Sequence, residues 1–173
     1  MGPVEPELTA VVVPVAEAEP LVRDLRLELD ASAARGVPAH VTVLFPFLPL
    51  AEIDLPALRE VVAATPSFTA TFCRVDWFGD DVVWLAPEPA DPFVRLTLAV
   101  QERFGAVPYG GEHGREPVPH LTVGHDAPLP RLRAVAAHLE TGLPFTAEIR
   151  AAQLLAGSRL PDSWRTVARL PLG

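Results

Sequence analysis

One short pattern occurs twice in this 173-residue chain, first as VPAHVTV and later as VPHLTV. Each copy carries a histidine followed two residues later by a threonine, which gives His40 with Thr42 and His120 with Thr122. Alternating polar and apolar residues are typical of a half-buried strand, in which side chains two residues apart share a face at a spacing of roughly 6.5–7 Å. The pattern therefore predicts two strands that each present an imidazole and a hydroxyl on one face.

Two imidazoles and two hydroxyls that converge on one cleft could carry out phosphoryl chemistry. A neutral imidazole can take a proton from an attacking water, and a protonated one can give a proton to the departing oxygen on the other side of the phosphorus. Threonine hydroxyls can donate hydrogen bonds to the non-bridging phosphate oxygens. A single His-x-Thr is common in strands and indicates little, whereas two copies in equivalent places predict a shared site that needs no metal.

The elements that would position these residues also repeat. Apolar runs predict strands over residues 8–15, 40–47, 68–78, 82–86, 120–125, 145–155 and 163–172, and helical spacing predicts helices over 17–36, 54–65, 91–105 and 129–142. In the first helix, Leu21, Leu25, Leu29 and Ala33 share a face and Gly36 follows as a C-terminal glycine; Asp91 is the expected N-cap of the third helix. Strand, helix, histidine strand, helix, strand occurs twice, with the histidines 80 residues apart (120 minus 40).

This order predicts an α+β fold built as a pseudo-symmetric pair of lobes, which together form one domain over residues 1–173. Strands that alternate with helices would also suit a parallel doubly wound sheet. The tight turn after residue 78 and the strand pair at the end of the chain favour antiparallel pairing instead.

Further residues could contact a substrate. The glycine-rich loop 105–117 carries Tyr109, which could stack on a base, and His113 and Arg115, which could bind a phosphate; a plain surface loop is the alternative. His125 at the end of the second histidine strand and Arg159 between the last two strands are two more candidates for phosphate contacts.

Several conspicuous residues are expected to be structural rather than functional. Phe45 and Phe47 fall on the strand face opposite His40, which predicts a core position, and His138 is expected at a helix surface. Cys73 is expected to be a buried, unreactive thiol, because a single cysteine cannot form an internal disulfide. The three tryptophans are expected in the core or between the lobes; they are Trp77, Trp84 and Trp164.

Composition excludes several classes of function. The formal charge is −8, and all 14 basic residues are arginines, so a broad surface for long duplex nucleic acid is not expected. No stretch has the roughly 18–20 apolar residues of a membrane helix, and the N-terminus does not resemble a secretory signal. These features predict a cytoplasmic protein, and we expect a monomer.

The segments PAHVTVLFPF and PHLTVGH resemble the paired His-x-Thr/Ser signatures of the 2H phosphoesterase superfamily, and the first resembles its 2′-5′ RNA ligase-like (LigT-like) branch. The resemblance implies a bilobal α+β fold of two mainly antiparallel sheets, with a central cleft between them and helices outside. It implies hydrolysis of cyclic or 2′-linked phosphodiesters of nucleotides or RNA ends without a metal or cofactor. His40 and His120 would be the acid and base, and Thr42 and Thr122 would hold the phosphate.

This chain departs from the family pattern at one position, and other functions stay open. Many relatives carry an arginine or lysine where this chain has His125, and an imidazole attracts phosphate more weakly than a guanidinium. The preferred reaction is the opening of a 2′,3′-cyclic phosphate by water. The alternatives are 2′-5′ RNA ligase activity, a non-catalytic nucleotide-binding module, and a zinc hydrolase that uses His40, His113, His120 and His125.

Overall fold

The computed structural model describes residues 7–106 and 116–173. The strands are β1 (Leu8–Pro14), β2 (His40–Leu44), β3 (Phe68–Phe78), β4 (Val82–Glu88), β5 (Leu121–His125), β6 (Phe145–Ile149), β7 (Ala151–Gly157) and β8 (Arg165–Pro171). The α-helices are α1 (Glu19–Leu29), α2 (Ala31–Ala34), α3 (Leu55–Ala63), α4 (Asp91–Phe104) and α5 (Leu129–Glu140), with short 3-10 helices at Ala16–Ala18 and Leu50–Glu52.

The strands form two four-stranded sheets in which each pair of neighbours is antiparallel. Sheet 1 has the order β2-β1-β7-β8, and sheet 2 has the order β5-β4-β3-β6. The predicted α+β class is therefore confirmed, as are the hairpins β3–β4 and β7–β8, and the parallel doubly wound alternative is wrong. The two histidine strands, β2 and β5, occupy the corresponding edge of each sheet.

The predicted strand 145–155 is two strands, one in each sheet. β6 pairs with β3 in sheet 2, and β7 pairs with β1 in sheet 1. Ala147 and Ile149 are buried in the first part, whereas Ala152 and Leu154 are buried in the second, so the alternation slips by one residue at the exposed Arg150. The chain crosses between sheets at this slip, because the slip turns the apolar face to the opposite side.

Two helix boundaries also differ from the prediction. α1 ends at Leu29, and Asp30 begins α2 by accepting a hydrogen bond from the Ser32 backbone N–H at 3.0 Å. An aspartate carboxylate is a strong N-cap, which explains the break in the predicted long helix. Gly36 has the expected left-handed φ of 97°. At α4 the N-cap is Ala90, and Asp91 is the first helical residue rather than the cap.

The duplicated order is visible in how the helices pack on the sheets. α1 from the first half of the chain packs against β5, and α4 from the second half packs against β2. Each histidine strand also contains a β-bulge at the same place in the repeat, at Val43 in β2 and at Val123 in β5. The exchange of helices joins the two halves, because each half covers the histidine strand of the other.

A single large apolar core joins both sheets and the helices. Its fully buried members include Leu44, Phe72, Phe93, Leu121 and Leu154. A second, small apolar cluster lies on the other face of sheet 1 and consists of Ala10, Val12, Val37 and Leu155, with Phe45 and Trp164 packed against it. Within the described ranges, no helix has both the length and the apolarity to cross a membrane.

The contact between α4 and the bulge of β2 gives a test of the fold. The Thr97 hydroxyl, on a side chain only 5% exposed, donates a hydrogen bond to the Val43 carbonyl at 3.0 Å. Thr97→Val keeps the shape but leaves that buried carbonyl without its donor, which should lower the free energy of unfolding by about 1–3 kcal/mol. Urea denaturation measures this change.

The matched control is Thr141→Val, because the exposed Thr141 hydroxyl donates to the His138 carbonyl at a helix end that water reaches. Its unfolding free energy should stay within about 0.5 kcal/mol of the wild-type value. Equal stability of the Thr97→Val protein and the wild type would contradict the role given to this contact.

Candidate active site

The two histidine strands meet where the two sheets adjoin, because β2 and β5 contact each other. In β2, His40 and Thr42 are half-buried while Val41 is buried. The same holds in the second copy, where His120 and Thr122 are half-buried and the residue between them is buried. The predicted alternation is therefore present in both strands, and the fold brings the four polar side chains to one region of the molecule.

Each imidazole is held by an equivalent hydrogen bond to a backbone carbonyl. The Nδ1 atom of His40 lies 2.7 Å from the Pro38 carbonyl oxygen, and Nδ1 of His120 lies 2.7 Å from the Val118 carbonyl oxygen. A carbonyl oxygen can only accept, so Nδ1 carries the hydrogen in each ring. The neutral form of each ring therefore has its lone pair on Nε2, which is the atom available for proton transfer.

The electrostatics favour the neutral form of both rings. Burial is the main cause that lowers the pKa of His40 to about 4; the charges of Arg26 and His120 also lower it, whereas the bond to Pro38 and the Asp30 carboxylate raise it. Burial likewise lowers the pKa of His120. Both rings are thus neutral at pH 7 in the free protein, and a bound phosphate would favour protonation of a ring beside it.

His120 lies against two aromatic rings. Its ring meets Phe78 edge to face with centroids 4.9 Å apart, and Trp84 at 5.8 Å. Phe78 and Trp84 stack on each other at 4.7 Å. Trp84, which lies opposite Thr122 in the sheet, is only 3% exposed, as predicted, but it also fixes one side of the histidine.

His40 lies near a buried charge that the sequence reasoning missed. Arg26 of α1 is only 3% exposed and donates hydrogen bonds to the Val37 carbonyl, to Ser32 and to Asp30. The sequence does place an arginine in the apolar stripe of an amphipathic helix. That pattern indicates a buried guanidinium with specific partners, because an arginine is rarely buried without them.

The bulge at Val43 changes which residues share a face with the histidine. Because one extra residue reverses the alternation, Phe45 returns to the face of Thr42. There it packs on the small apolar cluster, with its ring 6.1 Å from that of Trp164. The prediction that Phe45 lies opposite His40 is therefore wrong.

The equivalent bulge at Val123 acts in the same way on His125. Thr122 pairs with Trp84 and His125 pairs with Val82, so His125 lies on the face of Thr122. Its side chain is 52% exposed, and its Nε2 lies 3.3 Å from a carboxylate oxygen of Asp126. Phe45 and His125 hold equivalent places, so one strand continues with an apolar ring and the other with a polar one.

Of the remaining candidates, only Arg159 is among the residues that the structure describes. Arg159 is exposed in the loop between β7 and β8, and in the described ranges no hydrogen bond or ion pair joins it to either histidine. Tyr109, His113 and Arg115 lie outside the described residues. No group of three or more potential ligands, counting His, Cys, Asp and Glu in residues 7–106 and 116–173, is placed to hold a metal ion.

The residues expected to be structural mostly are so. Phe47 packs in the large core edge to face with Phe104, and Trp77 is half-buried against it. His138 is exposed on α5. Cys73 is half-buried rather than fully buried, and desolvation together with the neighbouring Glu88 raises the pKa of its thiol, which disfavours the reactive thiolate.

Solved structures share this fold. The E. coli protein LigT in its apo form is 22% identical with a TM-score of 0.65, and the match covers 98% of this chain and 99% of that one. LigT complexed with 3′-AMP gives 22% identity and a TM-score of 0.60 over the same shares. Protein TT0787 of Thermus thermophilus gives 18% identity and a TM-score of 0.62 over 95% and 97% of the two chains. A comparison with curated proteins found no match.

The sequence itself identifies the family. The family model described as the 2′-5′ RNA ligase superfamily matches residues 13–159, which include both His-x-Thr pairs. This range is most of the chain, and the fold of the solved structures agrees with it. The chain therefore belongs to the 2′-5′ RNA ligase superfamily.

Proposed function

We propose that this protein is a phosphodiesterase that hydrolyses cyclic or 2′-linked phosphodiesters of nucleotides or RNA ends, with a 2′,3′-cyclic phosphate as the preferred substrate. His40 and His120 act as general acid and base, and Thr42 and Thr122 bind the phosphate. The observation that carries the proposal is the pair of imidazoles with the same Nδ1 hydrogen bond, on strands that contact each other.

The reaction follows from the protonation states of the two rings. The neutral ring accepts a proton at Nε2 from a water molecule, whose oxygen bonds to phosphorus. The bond between phosphorus and one ribose oxygen breaks, and the other ring, protonated at Nε2, gives its proton to that oxygen. One ring ends protonated and the other neutral, so exchange with solvent restores the starting state.

The phosphate itself would prepare the acid. Both rings are neutral in the free protein, but an anion within about 4–6 Å favours the charged form of an imidazole. A bound substrate would therefore raise the pKa of the ring beside it and supply the proton that the leaving oxygen needs. The threonine hydroxyls would donate to the non-bridging oxygens, where charge develops as the bond breaks.

The ligands found in structures of LigT support a nucleotide substrate. LigT has been solved with 3′-AMP and with phosphate, and a nucleoside monophosphate is the kind of product that opening of a cyclic nucleotide gives. The net charge of −8 favours a small substrate or a single RNA end over a long duplex. A monomer that requires no metal or cofactor is part of the proposal.

Purified protein should hydrolyse 2′,3′-cyclic nucleotides in excess EDTA. His40→Ala and His120→Ala should each lower kcat by about 10² or more, because each removes one proton-transfer group. His138→Ala is the matched control, since its histidine is exposed on α5, and it should keep wild-type activity. Product chromatography measures turnover, and circular dichroism checks the fold.

Three outcomes would contradict this function. Full activity in either histidine variant would remove that residue from the mechanism. Loss of activity on chelation with recovery on zinc would favour the metal hydrolase. Binding of nucleotides without cleavage of any cyclic or 2′-5′-linked phosphodiester would favour the binding module.

We also propose His125 as a phosphate contact, on the observation that the bulge places it on the face of Thr122. His125→Ala should raise KM about three- to tenfold with little change in kcat, since it removes a binding group and no proton-transfer group. His125→Arg should lower KM, because a guanidinium binds phosphate more strongly. Steady-state kinetics on one cyclic nucleotide measures both, and an unchanged KM in the alanine variant would contradict the contact.

A further inference from the structure

Each of the three residues before His40 forms a backbone hydrogen bond with a side chain. Arg26 Nη2 donates to the Val37 carbonyl at 3.1 Å, and the Ala39 backbone N–H donates to Glu19 Oε1 at 2.7 Å. Between them, the Pro38 carbonyl accepts the hydrogen bond from His40 itself. Both outer contacts come from α1, one from its first turn and one from its last turn.

Burial of the Arg26 guanidinium costs free energy that its partners must offset. Taking a guanidinium out of water costs several kcal/mol that only good partners offset. Asp30 lies 3.3 Å from Nε of Arg26 and Ser32 accepts from Nη2 at 3.1 Å, yet Asp30 could cap α2 without an arginine beside it. Capping of α2 therefore does not account for the buried arginine. Its remaining contact is the hydrogen bond to the Val37 carbonyl.

The second histidine is held differently. The segment that corresponds to residues 37–39 is 117–119, and in the described part of the chain no helix side chain forms a hydrogen bond with it. His120 instead lies against the rings of Phe78 and Trp84. The two histidines therefore share the Nδ1 hydrogen bond but differ in what fixes the backbone that provides it.

We infer that Glu19 and Arg26 are positioning residues for His40, which hold the segment 37–39 in place, and that the buried Arg26–Asp30 ion pair, whose guanidinium is bonded to the Val37 carbonyl, contributes to the electric field at the His40 ring. This inference rests on the proposed function, because it assigns a role in that reaction. Holding the Pro38 carbonyl fixes the direction of Nδ1–H and hence of Nε2, the atom that transfers the proton. A shift of this backbone by about 1 Å could cost 10²-fold in rate.

The charges that face His40 predict the direction in which its pKa shifts when each charge is removed. Arg26 and His120 lower the pKa of His40, and Asp30 raises it. Arg26→Gln removes a positive charge and should raise the pKa of His40 above about 4, because the protonated ring is no longer repelled. Asp30→Asn removes a negative charge but keeps a good N-cap, and it should lower the pKa further.

Side-chain NMR of His40 across the acid range measures both shifts, with Arg23→Gln, an exposed position of the same helix, as the control that should cause none. A purely structural role predicts another result, since loosening the site would let water reach the ring and raise the pKa in both variants. A rise or no change in Asp30→Asn overturns the electrostatic part. If Arg26→Gln does not fold, Asp30→Asn decides alone.

Turnover of a 2′,3′-cyclic nucleotide tests the positioning by Glu19. Glu19→Ala should lower kcat about 10- to 100-fold while KM stays within about threefold, and Glu19→Gln, which keeps an acceptor for Ala39, should restore most of the rate. Glu28→Ala is the control, since Glu28 lies on the same helix but pairs with Arg131 at the surface. A folded Glu19→Ala protein with wild-type kcat overturns the positioning role.

The two tests separate this inference from the proposed function. If the wild type cleaves no phosphodiester, the proposed function fails, and the NMR titration still decides whether the Arg26–Asp30 pair controls the charge of His40. If the wild type is active but neither kcat nor the pKa responds as stated, the function stands and the positioning role fails.

Discussion

The proposed chemistry depends on the hydrogen bond between histidine Nδ1 and a backbone carbonyl, which occurs at both His40 and His120. A carbonyl two residues before each histidine accepts from Nδ1, so both rings have the same tautomer and the lone pair on Nε2. Without that bond an imidazole could turn or change tautomer, and proton transfer would need an extra rearrangement. Burial then lowers both pKa values, so the protein by itself provides two bases. In the proposed reaction a bound phosphate converts one of them into an acid, which would couple catalysis to substrate binding.

The duplicated fold brings the two histidine strands together, and it also gives them different surroundings. Edge strands β2 and β5 contact each other, and each is covered by a helix from the other half, so neither histidine is placed by its own half alone. The bulges at Val43 and Val123 occupy the same place in both repeats. They bring unlike residues, Phe45 and His125, to the functional face. The proposed catalytic groups are therefore symmetric, while the surroundings that would hold a substrate are not.

Much of this arrangement is readable from the sequence, and the exceptions have physical reasons. Alternation within His-x-Thr predicts the functional face because it depends only on the strand period. The bulges are not predictable in this way, since a bulge is defined by the pairing of two residues against one on a distant strand. The prediction for Phe45 is wrong for that reason. The role of Arg26 was not predicted, because it depends on a carbonyl eleven residues away. The sheet crossing at Arg150 could have been predicted, because the apolar alternation slips there by one residue.

The central claim is that both imidazoles act on one phosphate, and an NMR titration with a nucleoside 2′-monophosphate tests it most directly. The resonances of His40 and His120 are followed together as the ligand is added, and the titration is repeated across the acid range. The account predicts that both rings respond with a single common Kd and that the ligand raises the pKa of at least one of them. A response from only one ring, or two different Kd values, would contradict a shared site.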